Sequence, residues 1–387
     1  MPRTWNSTEP STADFPVSRD VSAKMTRVRI TRNPDARSRF ALDQGVFRQD
    51  AAAELRLTGW AVDPRVRAVA MHFKMGKKVL ASAALVIHRP RVSKVHADCP
   101  GADSAGFEIC IPSPGEGSYW LEVENDAGQK ERVADIRLYQ ADQPGLLFMH
   151  IAKAAGSTAN RYFSEHFQKG RALVHIESEP IWQNHSAQLN DYDFLSGHVG
   201  LHALKRWLDL DQFRLVTVVR EPFAQLISHI AWVRRLADPG EEQRLLRHPE
   251  YVQSFSQKLA ECDLEDPGAI TAIIDSLSRQ ERQLVDNCQV RYFTRVREDW
   301  VGKQNLESAI VASSRFDRIG LAENLTGFLA GVANDMGWPP PELPGRENVT
   351  RNFYGLERAG AQVRRALKPL VRYDIQLYDY IRRKRAD

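Results

Sequence analysis

Residues 146–163 read LLFMHIAKAAGSTANRYF. An apolar run of six stops at Ala152-Lys153, passes a glycine at Gly156, and gives way to the amphipathic stretch STANRYFSEHF. This is the pattern of a buried strand turning into a helix. Such a junction leaves several backbone N–H groups pointing into the turn, reinforced by the positive end of the helix dipole. Lys153 adds a cation, Ser157 and Thr158 add hydroxyls, and Gly156 permits close backbone approach. On its own residues the stretch reads equally well as an anion site or as an ordinary turn capped by Ser157.

The spacing argues against a nucleotide triphosphate. A Walker A loop needs lysine directly before the hydroxyl residue that binds magnesium; here Lys153 precedes Gly156 by three positions and no lysine follows. An anion with no obligatory metal suits the loop better.

Working outward, the same texture repeats. RLVTVV (214–219) precedes PFAQLISHIAWVRRL, and FDRIGLA (316–322) precedes ENLTGFLAGVAND. Strands alternating with helical segments predict an α/β domain with a parallel sheet flanked by helices. The second strand ends in Arg220, with Pro222 placed for a first helical turn and Ser228 eight residues on. Arginine suits a phosphate because its fork binds oxygens bidentately and keeps its charge.

With those two elements in view, the chain resembles the PAPS-dependent sulfotransferases, and among them the carbohydrate enzymes related to the heparan sulfate 2-O group. HIAKAAGST and VVREPFAQLISH carry the resemblance, with weaker agreement through LSGHVG, DNCQVRYF, FDRIGLAENL and YDIQLYDYI, over roughly residues 145–380. It implies the P-loop-like sulfotransferase fold and 3′-phosphoadenosine 5′-phosphosulfate (PAPS) as donor, without a metal. Lys153, Ala155, Gly156, Ser157 and Thr158 would hold the 5′-phosphosulfate end, and Arg220 with Ser228 the 3′-phosphate. Three positions depart from the family pattern: Ala152 replaces proline, Ala154 a small hydroxyl or cysteine, and Gln225 an arginine.

Sulfuryl transfer needs an aligned acceptor hydroxyl, a base, and positive charge on the leaving phosphate. Lys153 is the expected cation. Of 11 histidines, His198 in FLSGHVGLHAL is the expected base. It follows an apolar stretch and a glycine at a strand's carboxyl end, and related sulfotransferases carry their proposed base in a similar G-H-x motif. His150 is read as shaping the first loop, with His202 and His229 less favoured. Arg291 and Arg351 are read as nucleotide or acceptor contacts or as surface ion pairs, and Glu323 as structural. The expected acceptor is a carbohydrate hydroxyl. A P-loop nucleotide kinase and a non-catalytic glycan-binding protein with a degenerate transferase domain are the alternatives.

Upstream, residues 41–142 read as a small β-sandwich. ELRLTGWAVD, VAMHFKMGKKVLASA, GFEICIP, YWLEVEND and KERVADIRL are short alternating stretches, with hairpin turns expected at Met75-Gly76-Lys77-Lys78 and Asn125-Asp126-Ala127-Gly128. GWAVDP and SAGFEICIP resemble, weakly, β-domains that accompany bacterial glycan-acting enzymes. Trp60 and Trp120 read as core aromatics or as a sugar-stacking platform. Residues 1–40 lack periodicity and are expected to be a disordered leader, with residues 143–387 forming the transferase domain. The stretch 238–287 is expected to be helical with a break at Asp266-Pro267-Gly268, and the chain to end in a helix.

Composition sets limits. With 387 residues, 43% hydrophobic, the chain is long enough for two domains. The 53 Lys+Arg against 49 Asp+Glu give +4, too mild a charge to point to nucleic acid. Cys99, Cys110, Cys262 and Cys288 form no C-x-x-C pair and read as free thiols. No stretch approaches the ~18 apolar residues of a membrane span and the N-terminus has no signal-peptide core, so a cytoplasmic location is expected.

Overall fold

The computed structural model describes the chain outside residues 1–24, 49–53, 113, 142, 179–188, 190–191, 343–352, 359 and 385–387. Two β-sheets face one another in the N-terminal part. One has the order β1 (Met25–Arg32), β8 (Lys130–Ala141), β7 (Gly117–Asn125), β4 (Ala68–Met75), β5 (Lys78–Ala84). The other is β2 (Arg39–Arg48), β3 (Glu54–Val62), β6 (Gly106–Pro112). All neighbours are antiparallel. Alternation along β3 sends Leu55, Leu57 and Ala61 inward, where they meet Met71, Phe73, Leu121 and Val123 of the facing sheet in one apolar core.

Both expected hairpins form. β4 and β5 join through Gly76-Lys77, with Gly76 at φ 58°, and the β7–β8 turn puts Gly128 at φ 72°. The leader expectation fails for residues 25–40, because β1 pairs along its whole length with β8 and β2 begins at Arg39. The reason is visible in TRVRITR: its apolar residues, Val28 and Ile30, are only two and sit between arginines, a strand signal that charge obscures. Arg27 on β1 is itself buried, bonding the Tyr192 carbonyl at 2.8 Å and pairing with Asp193 beside the second domain's sheet.

Trp60 and Trp120 do not form one platform, and Trp60 packs against a small apolar cluster of Val62, Val92, Cys99, Ala102 and Ala105. Each is half-buried on the outward side of its strand, and the strands belong to different sheets. His96 packs on Trp60 with ring centroids 5.1 Å apart, and Arg132 lies 4.8 Å over Trp120.

The second domain is a five-stranded, all-parallel sheet flanked by helices. Its order is β10 (Ala172–Val174), β11 (Phe194–Gly197), β9 (Gly145–Met149), β12 (Phe213–Val219), β13 (Arg318–Leu321). β9 lies at its centre; Leu146, Leu147, Phe148 and Met149 are fully buried, as expected for a strand covered on both faces. The loop after β9 feeds the helix Gly156–Glu165, and β12 feeds the helix Pro222–Arg235.

Residues 238–287 are helical. Asp266 caps the helix Pro267–Asp275 by accepting from the Gly268 and Ala269 N–H groups, so the expected break is a helix start. The C-terminal helix is interrupted: a 3-10 turn over Lys368–Val371, carrying Pro369, separates Ala361–Leu367 from Arg372–Lys384. No helix among the described residues is long and apolar enough to cross a membrane. All four cysteines are free thiols.

Candidate functional site

Strand order decides where a site belongs. The chain leaves β9 toward β10 on one side, whereas β12 lies on the other side and continues to β13. Loops that depart in opposite directions open a crevice at the carboxyl ends of the two strands. Lys153 follows β9 and Arg220 follows β12, so both cations stand at that crevice. His198 follows β11, on the other side of β9.

The first loop is tightly held. Arg220 donates from Nη1 to the Lys153 carbonyl at 3.0 Å, and Gln225 donates from Nε2 to the Ala152 carbonyl at 3.0 Å. Tyr292 Oη accepts from the Ala152 N–H at 3.4 Å. Lys153 and Ala155 both adopt left-handed backbone conformations, at φ 65° and 61°, which non-glycine residues reach only at a cost. Ala155 is the N-cap of the following helix, and no side chain caps that end. Ser157 is therefore not the cap that its position suggests; it is exposed, whereas Thr158 is buried.

Gly156 serves a different neighbour from the one expected. A Cβ there would lie 1.9 Å from the His150 ring. The glycine makes room for a buried imidazole, whose Nδ1 accepts a long bond (3.4 Å) from the Asn160 amide. Gln225 braces the loop with an uncharged amide.

Positive charge is concentrated around Lys153. Burial, then Arg235, Arg220 and Arg244, pull the Lys153 ammonium down to about 8. Burial lowers Arg220 against the opposing pull of Glu323 and Glu221. Burial brings His150 to about 2 and His229 to about 3, so both are neutral near pH 7. Glu323 accepts from the Glu221 N–H at 2.8 Å and the Tyr378 hydroxyl at 3.0 Å, tying β13 to the start of the second loop.

His198 is oriented from two directions. Its Nδ1–H donates to the His150 carbonyl at 2.8 Å, which leaves the ring's lone pair on Nε2. Its backbone N–H donates to Glu177 Oε2 at 2.9 Å. Burial of its crowded side lowers its pKa and Glu177 opposes that; the side chain is nonetheless exposed to solvent, so it keeps access to a ligand.

One expected contact is not gathered into the crevice. Arg291 is bound to Asp286, through Asp286 Oδ2 at 2.5 Å and its carbonyl at 2.8 Å, and Asp286 is 1% exposed. That guanidinium locks a helix end; it is not held ready for a ligand. Ser228 shares the helix of Gln225 but is buried at 3% exposure. Arg351 lies outside the described residues.

Sequence reading passed over Gln289, Tyr292, Glu177 and His175. Gln289 forms a reciprocal amide pair with the Arg220 backbone, accepting its N–H at 3.0 Å and donating to its carbonyl at 2.8 Å. The signal lay in NCQVRYF, whose glutamine and tyrosine flank the arginine that drew attention. Comparison with known protein families and with curated proteins finds no match to this chain.

Proposed function

We propose that the chain is a sulfotransferase that moves the sulfuryl group of PAPS to a carbohydrate hydroxyl. The observation that carries this reading is the meeting of the two loops, Arg220 donating to the Lys153 carbonyl at the crevice between β9 and β12. Two cations after adjacent parallel strands, beside an uncapped helix, suit a ligand with two separated anionic groups. PAPS is such a ligand.

In this reading the uncapped helix end and Lys153 hold the 5′-phosphosulfate, and Lys153 stabilises the bridging oxygen as it leaves. Arg220 holds the 3′-phosphate. His198 Nε2 takes the proton of the acceptor hydroxyl as it attacks sulfur in line, while the His150 carbonyl keeps the ring's tautomer. Positioning and electrostatics supply most of the rate, as in phosphoryl transfer. The kinase alternative finds no support in the loop, where Arg220 approaches the Lys153 carbonyl and no lysine follows Gly156.

The test is calorimetric titration of 3′-phosphoadenosine 5′-phosphate, without metal, into wild type and Arg220→Ala. Binding by wild type that weakens at least ~100-fold in the variant is expected, the loss of a charge-assisted bidentate contact. Folded wild type that does not bind the nucleotide would overturn the reading.

A further inference from the structure

A second constellation lies next to the crevice. His175 follows β10, Glu177 sits in the 3-10 turn Ile176–Ser178, and His198 follows β11. Each offers one ligand atom, and the three atoms lie within 4.8 Å of one another. His175 Nδ1 is 3.4 Å from Glu177 Oε1, and the His175 and His198 ring centroids are 5.8 Å apart. Two imidazoles and a carboxylate are the donor set of open Zn²⁺ sites.

The fold makes room for this cluster. A Cβ on Gly197 would fall 2.3 Å from Glu177 Oε2, so a glycine at the end of β11 is what lets the carboxylate reach the His198 backbone. His175 holds a left-handed conformation, φ 58°, at the end of its strand.

Contrast with the other such cluster is instructive. His96, Asp98 and Cys99 also bring ligand atoms together, but Arg39 Nη1 already stands 3.2 Å from His96 Nδ1, 3.5 Å from Asp98 Oδ2 and 3.9 Å from Cys99 Sγ. A guanidinium occupies the place of a cation there. Among the described residues, Glu177 takes its hydrogen bonds from His175 and the His198 backbone, with no lysine or arginine in between.

We infer that His175, Glu177 and His198 form a binding site for a Zn²⁺-class transition-metal ion, and that occupancy switches the crevice off. The metal-binding half stands on this geometry alone; the inhibition rests on His198 being the base. Neutral imidazole has a single basic lone pair, and a metal bound at either nitrogen consumes it. The ion is not needed for transfer and competes with it. Lys153, which faces His198 electrostatically, opposes the cation, and Glu177 offsets that repulsion.

The experiment uses the full chain after chelator treatment and dialysis. Co²⁺ is titrated and followed by its visible d–d absorption, then displaced with Zn²⁺, for wild type, His175→Ala and Glu177→Gln. One Co²⁺ per wild-type chain is expected, with affinity reduced more than about tenfold in each variant. Absence of a stoichiometric Co²⁺ spectrum in folded wild type, or unchanged binding in both variants, overturns the site. Titration of 3′-phosphoadenosine 5′-phosphate into the same sample separates the two readings. Nucleotide binding without Co²⁺ binding sinks the metal site and leaves the transferase; the reverse sinks the transferase and leaves the site. Where both bind, Zn²⁺ inhibits sulfuryl transfer by wild type and spares His175→Ala. Zn²⁺-insensitive transfer by wild type overturns the switch.

Discussion

The two domains treat charge in opposite ways. On the outer face of the β-domain, polar side chains answer each other across β4 and β7: Lys74 lies 3.0 Å from Glu122, and His72 lies 2.8 Å from Glu124, which Lys130 also approaches at 3.2 Å. At the carboxyl end of the parallel sheet, Lys153, Arg220, Arg235 and Arg244 converge instead, and the histidines among them are forced neutral. The first arrangement is complete in itself. In the second, Arg235 and Arg244 share Glu241 at 3.8 and 3.4 Å and Arg220 feels Glu323 and Glu221, whereas the Lys153 ammonium is repelled by all three arginines, a charge that an anionic ligand would neutralise.

The largest expected effect comes from removing the central cation. Lys153→Ala should lower turnover of PAPS by about 10²–10³-fold, the scale of losing one preorganised charge contact. Its thermal unfolding midpoint should stay unchanged or rise, because a half-buried, repelled charge has gone. Retained activity, or a chain that unfolds, would break the contrast between the domains. His198→Ala should cut turnover with little change in nucleotide affinity; equal losses in both would make His198 a structural residue.

A glycine in each domain sharpens the comparison. Gly156→Ala drives a methyl into the buried His150 ring and should cost about 3 kcal/mol, read from denaturant unfolding. Gly128→Ala, at φ 72° in the β7–β8 turn with open space around it, should cost about 1 kcal/mol of backbone strain alone. Equal costs would mean that His150 yields and does not brace the loop.

Smaller still is a pH effect confined to the crevice. In the free chain Lys153 loses its proton as pH rises through about 8. A bound anion holds the protonated form and raises that pKa. Affinity for 3′-phosphoadenosine 5′-phosphate should therefore be flat below pH 8 and fall above it, by at most about tenfold per pH unit. Calorimetry in two buffers of different ionisation enthalpy should show proton uptake near pH 8; its absence would assign the anion contact elsewhere. Smallest is the β-domain control, a double-mutant cycle on Lys74 and Glu122. It should return a coupling of no more than about 1 kcal/mol. A larger value would show that the paired surface also stores functional energy.

Periodicity and punctuation made much of this molecule legible. Alternation in ELRLTGWAV and GFEICIP gave strands, glycines gave both hairpins, and the apolar runs before Lys153 and Arg220 gave two strands of a parallel sheet. These are local properties, written in consecutive residues. β1 escaped because TRVRITR places Arg27 inside, and its partner for that burial, Asp193, lies 166 residues away. Arg291 misled for the same reason in reverse: a lone arginine in a helical segment says nothing of Asp286 closing around it.

By itself, then, the sequence determined the α/β alternation, the antiparallel domain before it, and the positions of Lys153, Gly156, Arg220 and His198 at strand ends. Tertiary structure alone decided that the loops of β9 and β12 meet, that Gln225 and Gln289 brace them, and that His175 and Glu177 stand beside His198. Strand order and long-range hydrogen bonds join residues tens to more than a hundred positions apart. No periodicity within a segment carries that information, because such pairings are chosen by which faces the chain buries together.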